Sequence, residues 1–167
     1  MTRYKLSKKD KKALVDEAVR EVGAEIAKII DSSEDVEVAK VKYAGLTDLF
    51  FADGVVALAR FENVGLIPSL YLIYKRGVVP NYPSVLVDQG AVPRILNGAD
   101  VMVPGIKAIE GYFHVGEKVI VRELDKGRVI AIGVSLMSKE EVESSQKGKA
   151  IRTLHYLGDE IWELSSR

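Results

Sequence analysis

The stretch VLVDQGAVPRILNGADVMVPGI, Val85 to Ile106, constrains this chain more than any other. Val85, Leu86 and Val87 form a short apolar run that suits a strand, and Asp88-Gln89-Gly90 then turns the chain into a small helix. Asn97-Gly98 ends that helix, and a second apolar run is stopped by Pro104-Gly105. A strand, a helix and a strand are thus compressed into about twenty residues. Turns this tight need backbone freedom, and Gly90, Gly98 and Gly105 stand where the bends must fall.

The start of the helix has the makings of an anion site. Asp88 is placed to cap it, and Gly90 leaves the first N–H groups open to a phosphate or a carboxylate. Pro93 falls in the first turn, where its missing N–H costs little. Arg94, one turn on, can face the same ligand. Taken alone, a D-x-G-A string is more often an ordinary turn and cap.

The string is not alone. The order V-D-x-G-A, a helix, then N-G-A-D-V-M-V-P-G-I resembles the PUA domain, the small RNA-binding barrel of pseudouridine synthases and archaeosine transglycosylases. Gly133-Val134-Ser135, Ser138-Lys139-Glu140-Glu141, Lys147-Gly148-Lys149-Ala150 and His155-Tyr156-Leu157-Gly158-Asp159 with Trp162 extend the resemblance. The whole series is similar to the family of malignant T-cell-amplified sequence, its yeast translation-machinery-associated relative and ligatin, here in archaeal form. The likeness is clearest from Pro83 onward.

Composition narrows the function classes. Residues 1–82 carry 13 Lys or Arg against 12 Asp or Glu, and residues 83–167 carry 11 against 12. A protein that coats nucleic acid through bulk charge is basic, so any RNA here must be recognised locally. Without cysteine there are no disulfides, cysteine-based zinc sites or thiol nucleophiles. The two histidines, His114 and His155, stand in no metal-ligand spacing. Gly148-Lys149-Ala150 lacks both the upstream glycine and the hydroxyl of a phosphate loop. No apolar run approaches the roughly 20 residues of a membrane span, and no signal peptide is visible. The chain is therefore expected to be a cytoplasmic protein, with no cofactor, no metal and no catalytic residues. A content of 29% charged residues suits a thermophile.

In chain order, Ser7 to Asp10 has the spacing of a helix start. Leu14, Ala18, Val22, Ile26 and Ile30 recur at fours, predicting one helix from about Lys8 to Ile30. Arg3, Lys5, Lys8, Lys9, Lys11 and Lys12 make its approach basic, a pattern that is ordinarily a solvated surface. VEVAKVKY alternates as a half-buried strand, with Val36, Val38 and Val41 on the inner side. Thr47 to Arg60 reads as a hairpin across Asp53-Gly54. Ile67 to Lys75 is a short helix with Pro68 in its first turn, or another strand. Val78 to Pro83 marks a domain boundary. Beyond it, Lys118–Glu123 and Arg128–Met137 are strands around Asp125-Lys126-Gly127, and Ser138–Ser145 is a brief capped helix. Thr153–Tyr156 and Glu160–Leu164 look like a last hairpin across Gly158-Asp159. Many short strands with glycine at the bends are what a nearly closed barrel requires.

The resemblance implies an α+β protein: an N-terminal α/β domain over residues 1–80, with a long helix and a small antiparallel sheet, followed by a PUA pseudo-barrel over residues 81–167. It also implies a groove, formed by the small helix and the final strand, that faces RNA. Carried over residue by residue, the groove takes Gln89, Gly90, Ala91 and Arg94 from the helix side, and Lys149, Arg152, His155 and Tyr156 from the strand side. Trp162 is read as core. The implied ligand is RNA, either a tRNA acceptor end or small-subunit rRNA, in initiation, reinitiation or recycling. The small ribosomal subunit and a partner like density-regulated protein are implied with it. The alternative is an RNA-binding accessory subunit of a tRNA- or rRNA-modifying enzyme.

Overall fold

The computed structural model describes residues 1–166. The chain forms two compact units, one of residues 82–159 and one of residues 1–81 joined by the chain's last helix.

The first unit is built on an antiparallel sheet in the order β1-β2-β3-β4-β5, made of β1 (Arg3–Lys5), β2 (Val36–Tyr43), β3 (Leu46–Ala52), β4 (Val55–Phe61) and β5 (Gly65–Pro68). The helix expected from Lys8 to Ile30 is instead two, α1 (Lys8–Glu21) and α2 (Ala24–Ser32). Val22 and Gly23 both donate back to the Ala18 carbonyl, and Gly23 then takes φ 106°, which ends the first helix. The apolar period survives the break because each helix buries a stripe: Leu14 and Ala18 on one, Ile26, Ala27 and Ile30 on the other. Ser7 caps α1 through its hydroxyl, as its spacing implies.

On β2 the inner side differs from expectation: Val36 and Ala39 are buried, while Val38 and Val41 are half-buried. Pairing with β3 stays in register from Val36 to Lys40 and slips only between Lys40 and Tyr43, beyond these positions. The hairpin of β3 and β4 turns at Asp53 (φ 48°) and Gly54 (φ 87°), the left-handed pair that a two-residue turn needs. Ile67 to Lys75 divides between both alternatives. β5 ends at Pro68, and α3 (Leu70–Arg76) starts under a Ser69 hydroxyl cap.

The second unit comprises β6 (Ser84–Val87), α4 (Val92–Ile95), β7 (Val101–Met102), β8 (Ile106–Glu110), β9 (Lys118–Glu123), β10 (Val129–Ser135), α5 (Lys139–Ser144) and β11 (Lys149–Tyr156). Its sheet runs β7-β11-β10-β9-β6-β8, antiparallel except for β6 beside β9. The two edge strands, β7 and β8, are joined by a single 3-10 turn, Val103–Gly105. Such a link forces the sheet to curl until its edges nearly meet, which is the barrel the short strands anticipate. Val85, Val87, Ile95, Phe113, Val121 and Ile151 fill its interior.

After β11 the sequence predicts a closing hairpin, with residues to 167 in the PUA domain. The chain instead enters α6 (Glu160–Ser166), which groups with the first unit. Asp159 stops the strand by accepting the Tyr156 N–H, and the buried residues Ile161 and Ser165 follow at a spacing of one helical turn. Trp162 packs edge-on against Tyr71 and Tyr74 of α3, with ring centroids 5.6 and 6.2 Å apart. None of the described helices is long and apolar enough to cross a membrane.

Candidate nucleic-acid interface

Short turns dictate the geometry around α4. The Asp88 N–H donates to the Gly105 carbonyl at 3.0 Å, and the Asp88 Oδ1 accepts the Ala91 N–H at 3.0 Å. Gly105 approaches α4 so closely that a Cβ there would stand 3.0 Å from the Ala91 Cβ. On the remaining side the Gly148 carbonyl accepts the Val103 N–H at 2.9 Å, and Lys149 pairs with Met102 across β11 and β7. These segments wall a cleft of about 440 Å³, lined by Gly90, Ala91, Arg94, Met102, Pro104 and Lys147 along with Asp88 and Asp100.

The charges in the cleft are of two kinds. Asp88 is ion-paired with Lys107 at 3.7 Å, and Asp100 with Lys149 at 3.6 Å. Asp100 also accepts the Thr153 N–H, so both carboxylates are committed within the protein. Arg94 and Lys147 are exposed, and among the described residues neither side chain has an ion pair or a hydrogen bond. The cleft therefore offers cations to a ligand while its acids are already neutralised.

The open helix mouth expected from the sequence needs correction. α4 is one turn long, too short to accumulate much dipole, and Asp88 already takes the Ala91 N–H. Attraction for an anion rests on Arg94 and Lys147, helped by the backbone N–H groups of Gln89 and Gly90, which have no acceptor among the described residues.

Of the residues singled out in the sequence, Gly90, Ala91 and Arg94 come together in the cleft. Gln89 faces an adjoining open hollow with Asp125, Lys126 and Arg128, which shares Asp88 and Gly90 with the cleft. Lys149 lies beside the cleft and is held by Asp100. Arg152 is exposed on β11, opposite Val134, and does not line the cleft. His155 is 0% exposed, with its ring nitrogen 2.8 Å from the Asp159 carboxylate, so it offers no surface to a ligand. Tyr156 is half-buried against the barrel core, and its hydroxyl lies close under Gly98. The strand side of the site is thus supplied by Lys147 and Gly148, just before β11, more than by the strand itself.

Lys147, Met102, Pro104 and Asp100 are cleft residues that the sequence does not assign to the groove. For Lys147 a signal existed: a cation beside a glycine in the turn before an apolar strand. For Met102, 41% exposed between the buried Val101 and Val103, only the pairing of β7 with β11 reveals the role.

A family model described as the PUA domain matches residues 83–157. An uncharacterized protein of Methanocaldococcus jannaschii is 38% identical over 165 residues, 96% of this chain and 94% of its own. Translation machinery-associated protein 20 of Saccharomyces cerevisiae is 34% identical over 148 residues, 84% of this chain and 78% of its own. Among solved structures, a hypothetical protein from the archaeon Pyrococcus horikoshii superposes with a TM-score of 0.76 at 33% identity, covering 98% of this chain and 99% of that one. With these matches, and at 30% identity over 127 residues to human malignant T-cell-amplified sequence 2, 72% of this chain and 67% of that one, the chain belongs to the PUA-domain family of translation machinery-associated protein 20 and the malignant T-cell-amplified sequences.

Proposed function

We propose that this protein binds RNA as part of the translation apparatus, holding an RNA end in the cleft between α4 and the Val103–Gly105 turn. The observation that carries this reading is the uncommitted pair Arg94 and Lys147 in a cleft whose own carboxylates are ion-paired. A phosphate can take both cations, while Met102 and Pro104 offer apolar surface to a sugar or an unpaired base. Balanced charge over the whole chain favours local recognition of this kind over bulk attraction. Relatives named for the translation machinery support the setting.

Within this reading the ligand is the acceptor end of a tRNA or rRNA of the small ribosomal subunit. The role is initiation, reinitiation or recycling in the cytoplasm, performed by a binding protein and not a catalyst. A partner like density-regulated protein belongs to the same reading. Titration with tRNA, intact and stripped of its 3′ terminal nucleotides, tests it. Intact tRNA should bind more tightly, and Arg94→Ala should remove about 1–3 kcal/mol of that affinity. Equal binding of both forms, untouched by the substitution, eliminates the acceptor end as ligand of the cleft. Co-sedimentation with purified small subunits, abolished in Arg94→Ala, is the corresponding result for rRNA.

A further inference from the structure

The first turns of α1 run against the electrostatics of a helix start. A helix N-terminus carries partial positive charge and favours acidic side chains, yet α1 opens Lys8-Lys9-Asp10-Lys11-Lys12. Lys11 has an internal role, since its ammonium donates to the Ser33 carbonyl at 2.6 Å. Lys8, Lys9 and Lys12 are exposed, and among the described residues none has an ion pair or a side-chain hydrogen bond. At 3.6 residues per turn the three project within an arc of roughly 100°. That arc points away from Leu14 and Ala18, the buried side of the helix. In the strand leading to it, Tyr4 is 60% exposed.

Repulsion accepted at three neighbouring positions, with no ion pair to them among the described residues, is what a surface kept for an outside partner looks like. We propose that Lys8, Lys9 and Lys12 form a second nucleic-acid contact, on the first unit, which grips the phosphate backbone of RNA without reading its sequence. The proposal rests on the RNA-binding reading of the cleft and adds to it a contact made by different chemistry. Ammonium groups on flexible stems act as point charges, suited to phosphates along a backbone and not to base edges. A lipid surface fits less well, because the apolar stripe of α1, Leu14 and Ala18, is buried in its own unit, and only the separate side chains Tyr4 and Val19 stand exposed near the lysines.

Two RNA hairpins with the same stem, one blunt and one with a short single-stranded 3′ tail, are titrated into the full chain at several salt concentrations. The triple variant Lys8→Gln, Lys9→Gln, Lys12→Gln should bind both hairpins about tenfold more weakly, with a salt slope shallower by about 0.9 for each phosphate no longer neutralised. Removing the lysines relieves repulsion at the helix start, so the variant should fold at least as stably as the parent. The same exchange at Lys28, Lys42 and Lys75, also exposed on the first unit, should leave both affinities unchanged. Arg94→Ala should weaken the tailed hairpin alone, which separates the cleft from the lysines.

Parent affinity and slope in the triple variant, or an equal weakening in the control, overturns the proposal. So does a triple variant that loses only adhesion to phosphatidylserine vesicles. If the parent chain binds neither hairpin, the RNA-binding reading itself falls and takes the proposal with it.

Discussion

At Gly133 in β10, an added Cβ would stand 2.5 Å from the Arg152 carbonyl oxygen and 2.5 Å from a methyl of Ile151. The register between β10 and β11 slips at this point, between Ile132 and Gly133, and the strands close in upon the missing side chain. Gly133→Ala should therefore cost about 1–3 kcal/mol, because one of the obstructing atoms is backbone and cannot rotate aside. A denaturation midpoint equal to that of the parent would refute this close approach. Residues differ in how far their surroundings can be read from sequence. Arg94 is legible because its neighbours are local: it follows V-D-x-G-A by one turn, and a turn fixes direction. Lys147 is legible only as a cation beside a turn glycine, since its place in the cleft depends on β7 pairing with β11, a contact between distant parts of the chain. His155 misleads for a subtler reason. A polar residue in a terminal strand suggests exposure, but Asp159, four residues on, supplies the partner that lets the ring be buried.

At the scale of elements, the clearest departure from periodicity is the break between α1 and α2. Within an uninterrupted helix a Gly→Ala exchange adds stability. Gly23 has φ 106°, where an L side chain is strained, so Gly23→Ala should instead destabilise by about 1–2 kcal/mol. The sign alone distinguishes one helix from two, and thermal denaturation reads it. Side chains tie these elements together as well: Asp48 of β3 accepts from Lys40 of β2 and from Arg60 of β4, and Arg60 also holds Glu17 of α1. Burial pushes the Asp48 carboxyl up, but the hydrogen bonds from Lys40, Thr47 and Arg60 outweigh it and hold the group below the ordinary carboxylate value. A carboxyl depressed in the folded state contributes stability that is complete above its unfolded value and lost as pH falls through its folded one. The first unit should consequently lose stability below about pH 4, and Asp48→Asn should flatten that loss. An unchanged acid profile in the variant would assign the loss to other carboxylates. None of this network is visible in the sequence, where Asp48 lies in an apolar run and the network's members are spread from Glu17 to Arg60.

For the molecule as a whole, the chain completes its first unit last. It builds residues 1–81, then the barrel of residues 82–159, and returns to the first unit only with α6. EIWEL, residues 160–164, is short and apolar enough to pass for a strand. What decides it is tertiary: Trp162 meets Tyr71 and Tyr74, while Ile161 and Ser165 are buried. A chain ending at Asp159 keeps every residue of the barrel, including the carboxylate that holds His155 and the Tyr156 N–H. The first unit, by contrast, loses Ile161 and the ring of Trp162 from its packing. Loss of a buried isoleucine side chain typically costs about 2–5 kcal/mol, so truncation should cost the first unit at least about 2 kcal/mol. Hydrogen exchange separates the two responses, since protection tracks the stability of each cooperative unit. Amides of β3 and β4 should exchange faster in the truncated chain, and those of β9 and β10 should keep their parental rates. Faster exchange in β9 and β10 alone would mean that α6 supports the barrel and not the sheet that precedes it.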